Sequence, residues 1–268
     1  WVEFNENWDV RVEAVLQITT AWKNEAGILE LLKQSLESGN SSSVGLEAVL
    51  QMATGWKNQP GILELLKQWV VSDGDSDVRL EALRQIATDW KNQPGTLDLL
   101  KQWVVSDNSS SVRREAVRQI ANGWKNKPGI LELLKQWAES DENWYVRREA
   151  VRQIATGWKN KPETLELLKQ WVVSDGDSDV RLEALRQIAT GWKHEVGIFE
   201  LFYRIALYDP FQRENEYQGN PRQTALEEIV KHYPEHPQTL PLLQDRAEND
   251  TDEQLREWAK KKLQELEN

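Results

Sequence analysis

The sequence predicts an all-α protein, a right-handed superhelical solenoid of antiparallel helix hairpins, and three observations predict it. Tryptophan recurs every 34 residues at Trp22, Trp56, Trp90, Trp124, Trp158 and Trp192, and valine does so at Val10, Val44, Val78, Val112, Val146 and Val180. Each period carries two apolar stripes of helical spacing with turn residues between them. The segment from Gln68 to Thr88 returns unchanged from Gln170 to Thr190, a shift of three periods, so duplication of a three-repeat block is its simplest origin. A period of this length marks stacked supersecondary units. One hairpin cannot bury both of its apolar faces, whereas stacked hairpins can.

The period from Pro60 to Trp90 shows how each element is written. Pro60 suits the first turn of a helix, where its missing N–H costs nothing. Ile62, Leu63, Leu65, Leu66, Trp69 and Val70 then make a broad apolar face, with Glu64, Lys67 and Gln68 toward water. Ser72-Asp73-Gly74 stops that helix. Ser76 is the expected N-cap of the second helix. Val78, Ala82, Ile86 and Trp90 follow at intervals of four, flanked by Leu83 and Ala87. Lys91 complements the helix C-terminus, Asn92 is expected to take a left-handed cap, and Pro94 opens the next hairpin.

The predicted organisation is a single solenoid over 1–268. Regular repeats fill 1–209, the first of them truncated: Trp1, Asn7 and Trp8 align with Trp137, Asn143 and Trp144, so the chain opens inside a repeat and is expected to be part of a longer polypeptide with further domains upstream. Residues 210–250 form a degenerate repeat. The spacing from Ala184 to Ala225 is 41, which places a seven-residue insertion around Phe211, Arg213, Tyr217 and Gly219. It reads either as a lid on the last hairpin or as a binding loop. The motif restarts at Asp250, Leu255-Arg256 and Ala259. Residues 251–268, polar through Glu257, Lys260, Lys261, Lys262 and Glu265, read as a capping helix at a true C-terminus.

Several function classes are disfavoured. The net charge of −11 opposes non-specific nucleic-acid binding. With no cysteine there is no disulfide, thiolate zinc site or thiol nucleophile, and a reducing cytoplasm suits the chain. No apolar run reaches the roughly 18 residues of a membrane span, and no signal peptide is visible. Asp73-Gly74-Asp75-Ser76-Asp77 and its copy at Asp175 to Asp179 begin like a calcium loop. The twelfth position, which requires Glu, is Arg84 or Arg186. His232 and His236 have a metal-ligand spacing, but Pro234 between them breaks the shared helical face. No phosphate loop or nucleophile triad is present, so no catalytic residue, cofactor or metal is expected. The Trp22 and Trp69 series continue apolar stripes and read as core. Trp8 and Trp144, placed in the intra-repeat turn, read equally as surface contacts.

The period alone leaves tetratricopeptide repeats open, but their W-x-x-L-G-x-x-Y first helix is missing. Instead Asp73/Arg79, Asp107/Arg113, Asp141/Arg147 and Asp175/Arg181 recur at one spacing, each Arg preceded by Val and followed by Ala82, Ala116, Ala150 or Ala184. Each Arg shares a stripe with core residues and needs a partner. In the second repeat both positions are glycine, Gly39 and Gly45. A joint loss of this kind is what a pairing of the two positions predicts. The pattern resembles HEAT repeats over nearly the whole chain. The resemblance implies that Asp and Arg form a ladder between repeats and that the second helices line a concave groove. The ending from Leu255 to Leu266 also resembles the C-terminal sensor repeats of bacterial NACHT-type signalling NTPases.

Outward positions of the second helix, four apart, differ between repeats: Val12/Leu16, Leu46/Leu50, Leu80/Arg84, Arg114/Arg118, Arg148/Arg152 and Leu182/Arg186. The row runs from apolar to doubly basic, with Glu115 and Glu149 tempering the charge. It reads either as a solvated face with internal ion pairs or as a groove for a ligand with apolar and acidic parts. The expected function is a non-enzymatic scaffold for a protein or peptide on the concave face. The alternatives are nucleic-acid binding in the Arg-lined groove and an amplified or designed repeat without a natural ligand.

Overall fold

The computed structural model describes residues 8–21, 27–28, 30, 42–72 and 74–267. Among them are fourteen α-helices and no strand. The chain forms two compact units, Trp1–Ile130 and Leu131–Asn268. The first contains α1 (Trp8–Ala21), α2 (Ser42–Gly55), α3 (Ile62–Ser72), α4 (Ser76–Asp89), α5 (Thr96–Ser106) and α6 (Ser110–Gly123). The second contains α7 (Ile130–Ser140, starting at the divide), α8 (Trp144–Gly157), α9 (Pro162–Ser174), α10 (Ser178–Gly191), α11 (Ile198–Tyr208), α12 (Pro221–His232), α13 (Thr239–Asn249) and α14 (Glu253–Glu267).

Hairpins α3–α4 and α5–α6 in the first unit, and α9–α10, α11–α12 and α13–α14 in the second, pack helix against helix. Second helices also stack on one another: α1 on α2, α2 on α4 and α4 on α6, then α8 on α10 and α10 on α12. This is the stacking of a HEAT-like solenoid. The second helices carry the densest core, with Val112, Ala116, Val117 and Ile120 of α6 and Val146, Ala150, Val151 and Ile154 of α8 fully buried. Trp69, Trp103, Trp137 and Trp171 are buried from the first helices, and Trp56, Trp90 and Trp158 from the ends of the second. Trp124 and Trp192 are half-buried beneath the ammonium groups of Lys91 and Lys159, 5.9 and 5.7 Å from the ring centroids. Trp22 and the side chain of Trp8 lie outside the described residues. Trp144 opens α8, half-exposed and stacked on Tyr145.

Three boundary expectations are corrected. Pro60 lies two residues outside α3, because Gly61 at φ +88° intervenes in the left-handed region. Only glycine enters that region cheaply, and Gly95, Gly129 and Gly197 repeat the device. Where Glu163 replaces the glycine, the helix starts at Pro162 and runs 13 residues instead of 11. Asn92 takes no left-handed cap, since no described non-glycine residue has positive φ. Instead Trp90 closes α4, and its carbonyl accepts from the Gln93 N–H and the buried Thr96 hydroxyl at 3.0 and 2.9 Å. Thr164 and Thr239 do the same for Trp158 and Tyr233, both at 2.7 Å. The N-cap of α4 is Asp75 rather than Ser76: its carboxylate accepts the Asp77 N–H.

Candidate functional site

In α4, α8, α10 and α12 the arginine near the helix start reaches into the next repeat. Arg79 Nε and Nη2 donate to the Asp107 carboxylate at 3.0 and 2.9 Å. Arg147 grips Asp175 at 2.9 Å through both nitrogens, Arg181 grips Asp209 at 2.7 and 2.8 Å, and Arg222 grips Asp250 at 2.9 Å twice. The third nitrogen stays at home. Arg147 Nη1 donates to the Asp141 carbonyl at 2.9 Å, Arg181 Nη1 to the Asp175 carbonyl at 2.9 Å, and Arg222 Nη1 to the Asp209 carbonyl at 2.8 Å. Each aspartate also accepts the N–H two residues on, as Asp175 does from Asp177 at 2.8 Å. Burial alone would lower the Arg181 pKa, but the Asp209 carboxylate outweighs it and raises it.

In these described rungs the carboxylate partner is therefore 28 residues away, in the following repeat, and the joint loss at Gly39 and Gly45 cannot be placed because Gly39 lies outside the described residues. Asp73 lies outside the described residues, and Arg113 and Asp141 belong to different units.

On the second-helix row, a buried glutamate collects the cations. Glu115, 4% exposed, accepts from Arg118 and Gln119 at 2.8 Å each and lies 3.3 Å from Arg84 Nε. Glu183, 3% exposed, accepts Arg148 Nε at 3.1 Å, Arg152 Nε at 3.0 Å, Arg152 Nη2 at 2.8 Å and Gln187 at 2.9 Å. Burial would raise both carboxyl pKa values, yet the hydrogen bonds and guanidinium charges hold them below the ordinary value. The same Glu-to-Gln bond at i, i+4 recurs at Glu13–Gln17, Glu47–Gln51, Glu81–Gln85 and Glu149–Gln153. Sequence reasoning named Glu115 and Glu149 but missed Glu183 and the glutamines, although E-x-x-x-Q at one phase of every period was the available signal.

The proposed groove residues thus differ in state. Leu46, Leu50 and Leu80 are half-exposed. Arg84, Arg118, Arg148 and Arg152 are held by carboxylates. Arg114 is exposed with no carboxylate partner among the described residues of its own unit, and Arg186 is exposed with none among the described residues. Leu182, beside Arg186, is 2% exposed because the insertion crosses it. A Cβ on Gly219 would stand 2.6 Å from Leu182 Cδ2.

The insertion, between α11 and α12, is tied down by its own polar network. Arg213 and Asn220 both donate to buried Asp252, at 2.8 and 2.9 Å. Burial would raise that carboxyl pKa, and Arg213 with the Leu255 N–H lowers it. Arg222 binds the Phe211 carbonyl at 2.7 Å, so the ladder keeps its register across the longer turn. Phe211 is buried and Tyr217 is 89% exposed. A cleft of 530 Å³ lies between this loop and the start of α14, lined by Phe211, Arg213, Glu214, Glu216, Asp252 and Glu253 among others.

Among the described residues no His, Asp and Glu group could hold a metal ion. His232 lies 3.0 Å from Glu228, and the His236 ring stacks on Phe199 with centroids 3.5 Å apart. No described helix is long and apolar enough to cross a membrane.

A chain of stacked two-helix hairpins joined by inter-repeat Arg–Asp rungs is an α-helical repeat protein. The HEAT repeats family model matches residues 131–190, and the stacked hairpins of the chain are similar to such repeats. No curated protein sequence matches it. A solved structure described as "Computational Design of Self-Assembling Cyclic Protein Homooligomers" aligns over 97% of this chain and 83% of its own at 16% identity, with a TM-score of 0.14, which carries no inference here.

Proposed function

We propose that the protein is a non-enzymatic scaffold that binds a protein or peptide segment along the second-helix row. The observation that carries this is the way the row's arginines are held. Glu115 and Glu183 grip them from beneath, and both carboxylates are buried. Such guanidiniums are pre-organised donors that lose little freedom on binding. Their charge is largely offset, which favours short-range hydrogen bonding over the long-range attraction a duplex needs. Within the first unit, the half-exposed Leu46, Leu50 and Leu80 add apolar contact area. A HEAT-like stack is itself suited to protein recognition, and the sensor region of a larger signalling NTPase in the cytoplasm is the setting that the sequence resemblance suggests.

The test is a comparison of captured partners between the parent chain and a variant carrying R114E, R118E, R148E and R152E. The expected result is loss of specific partners from the variant. An unchanged partner profile refutes the row as binding face. Retained low-salt affinity for duplex DNA or RNA, falling steeply as salt rises, would favour nucleic acid instead. A parent chain with no specific partner would favour an amplified repeat without a ligand.

A further inference from the structure

The carboxylates of the second-helix row serve the repeat before them. Arg84 leans on Glu115 and Arg152 on Glu183, each 31 residues on. Arg186 occupies the same phase as Arg84 and Arg152. Allowing for the seven-residue insertion, the position that should hold its acid is Thr224, a neutral, half-buried residue. Nor can Arg186 use Glu183 on its own helix, as Arg118 uses Glu115. Both Glu183 oxygens already accept two donors each, from Arg148, Arg152 and Gln187. A carboxylate has about four acceptor sites, so Glu183 is full. The other acid that Arg186 influences is Asp179. Its carboxyl pKa is raised by burial and by Asp177 and is lowered in part by Arg148 and Arg186. No ion pair joins Arg186 to it among the described residues.

The same break that removes the acid also closes the row. The insertion lays Gly219 against Leu182, one turn before Arg186, and leaves Tyr217 almost fully exposed two residues away in sequence. A guanidinium with no ion-pair partner among the described residues therefore stands beside a wall, on a helix whose other arginine, Arg181, is satisfied. We infer that Arg186 is the anchoring residue of the second-helix row and takes a carboxylate of an acidic peptide segment that ends against the insertion. This rests on the scaffold reading above and adds the chemistry of the ligand. Charge complementarity selects the occupant, because a carboxylate supplies what Thr224 does not.

The test uses the intact chain. A random-peptide display library is selected against it, and affinities of the enriched peptides are measured by fluorescence anisotropy for the parent, R186Q, T224E and R84Q chains. T224E installs the missing acid, so it occupies Arg186 from within while keeping the repeat pattern and the fold. The expected result is enrichment of Asp or Glu at one peptide position. Affinity should fall at least about tenfold in both R186Q and T224E, as for loss of a charge-assisted contact, with R84Q close to the parent. Peptides that bind R186Q and T224E as tightly as the parent overturn the Arg186 assignment and leave the scaffold reading standing. A library that yields no binder overturns both.

Discussion

The rung between Arg181 and Asp209 offers the clearest perturbation. Arg181 is 3% exposed and Asp209 8%, and two hydrogen bonds of 2.7 and 2.8 Å join them. Replacing Arg181 with Leu strands a buried carboxylate and removes the donor from the Asp175 and Gly176 carbonyls at 2.9 and 3.2 Å. Breaking one side of a buried pair costs about 3–5 kcal/mol. The double variant R181L/D209L removes the stranded charge, so it should cost clearly less than the two single variants added together. The exposed pair Lys169–Glu166 has a similar distance, 2.9 Å, but Glu166 is 71% exposed. Breaking it with K169A should cost roughly 0–1 kcal/mol. Repeat proteins need not unfold in one step, so native-state hydrogen exchange of α10, α11 and α12 amides is the suitable assay. A loss of about 3–5 kcal/mol raises exchange by roughly two to nearly four decades, since about 1.4 kcal/mol is tenfold. A change below tenfold in R181L, or single costs that simply add in the double variant, would refute the claim that the rung is a coupled buried pair.

Further expectations follow from the same geometry. Glu183 has a depressed folded pKa, so its contribution is whole above the ordinary value of 4.5 and is lost as pH falls through the folded one. E183Q should therefore be less stable than the parent at neutral pH, with the difference in urea midpoint shrinking below pH 4.5; a pH-independent difference would count against it. G219A places a Cβ 2.6 Å from Leu182 Cδ2 and should cost about 1–3 kcal/mol, read as faster proteolysis of the insertion. L182A added to it should restore resistance if that contact is the cause. G129A, at φ +85°, should cost about 1–2 kcal/mol, whereas G74A, with open space around it, should be near neutral in thermal melts.

How far such features can be read from sequence depends on whether the deciding information lies inside one repeat. The helices were legible because periodicity and stop signals are local: α4 runs Ser76–Asp89, within a residue of the expected N-cap. The cap after Trp90 was misread because Asn92 is a good left-handed residue in isolation. The turn is instead closed by Thr96, a residue of the next helix. The stagger of the rungs could not be read at all. A perfect period places an Asp both six residues before and 28 residues after Arg147, and only the fold selects Asp175 for the side chain and Asp141 for its carbonyl. Arg152 and Arg186 carry the argument to function. They are the same residue at the same phase of repeats with the same E-x-x-x-Q, so nothing local separates them. Arg152 is neutralised because the following repeat supplies Glu183, and Arg186 is left open because the following repeat supplies Thr224 after an insertion. In a stacked chain the reactivity of a side chain is written one repeat downstream. Binding capacity should therefore concentrate where the period breaks, on the residue just before the break.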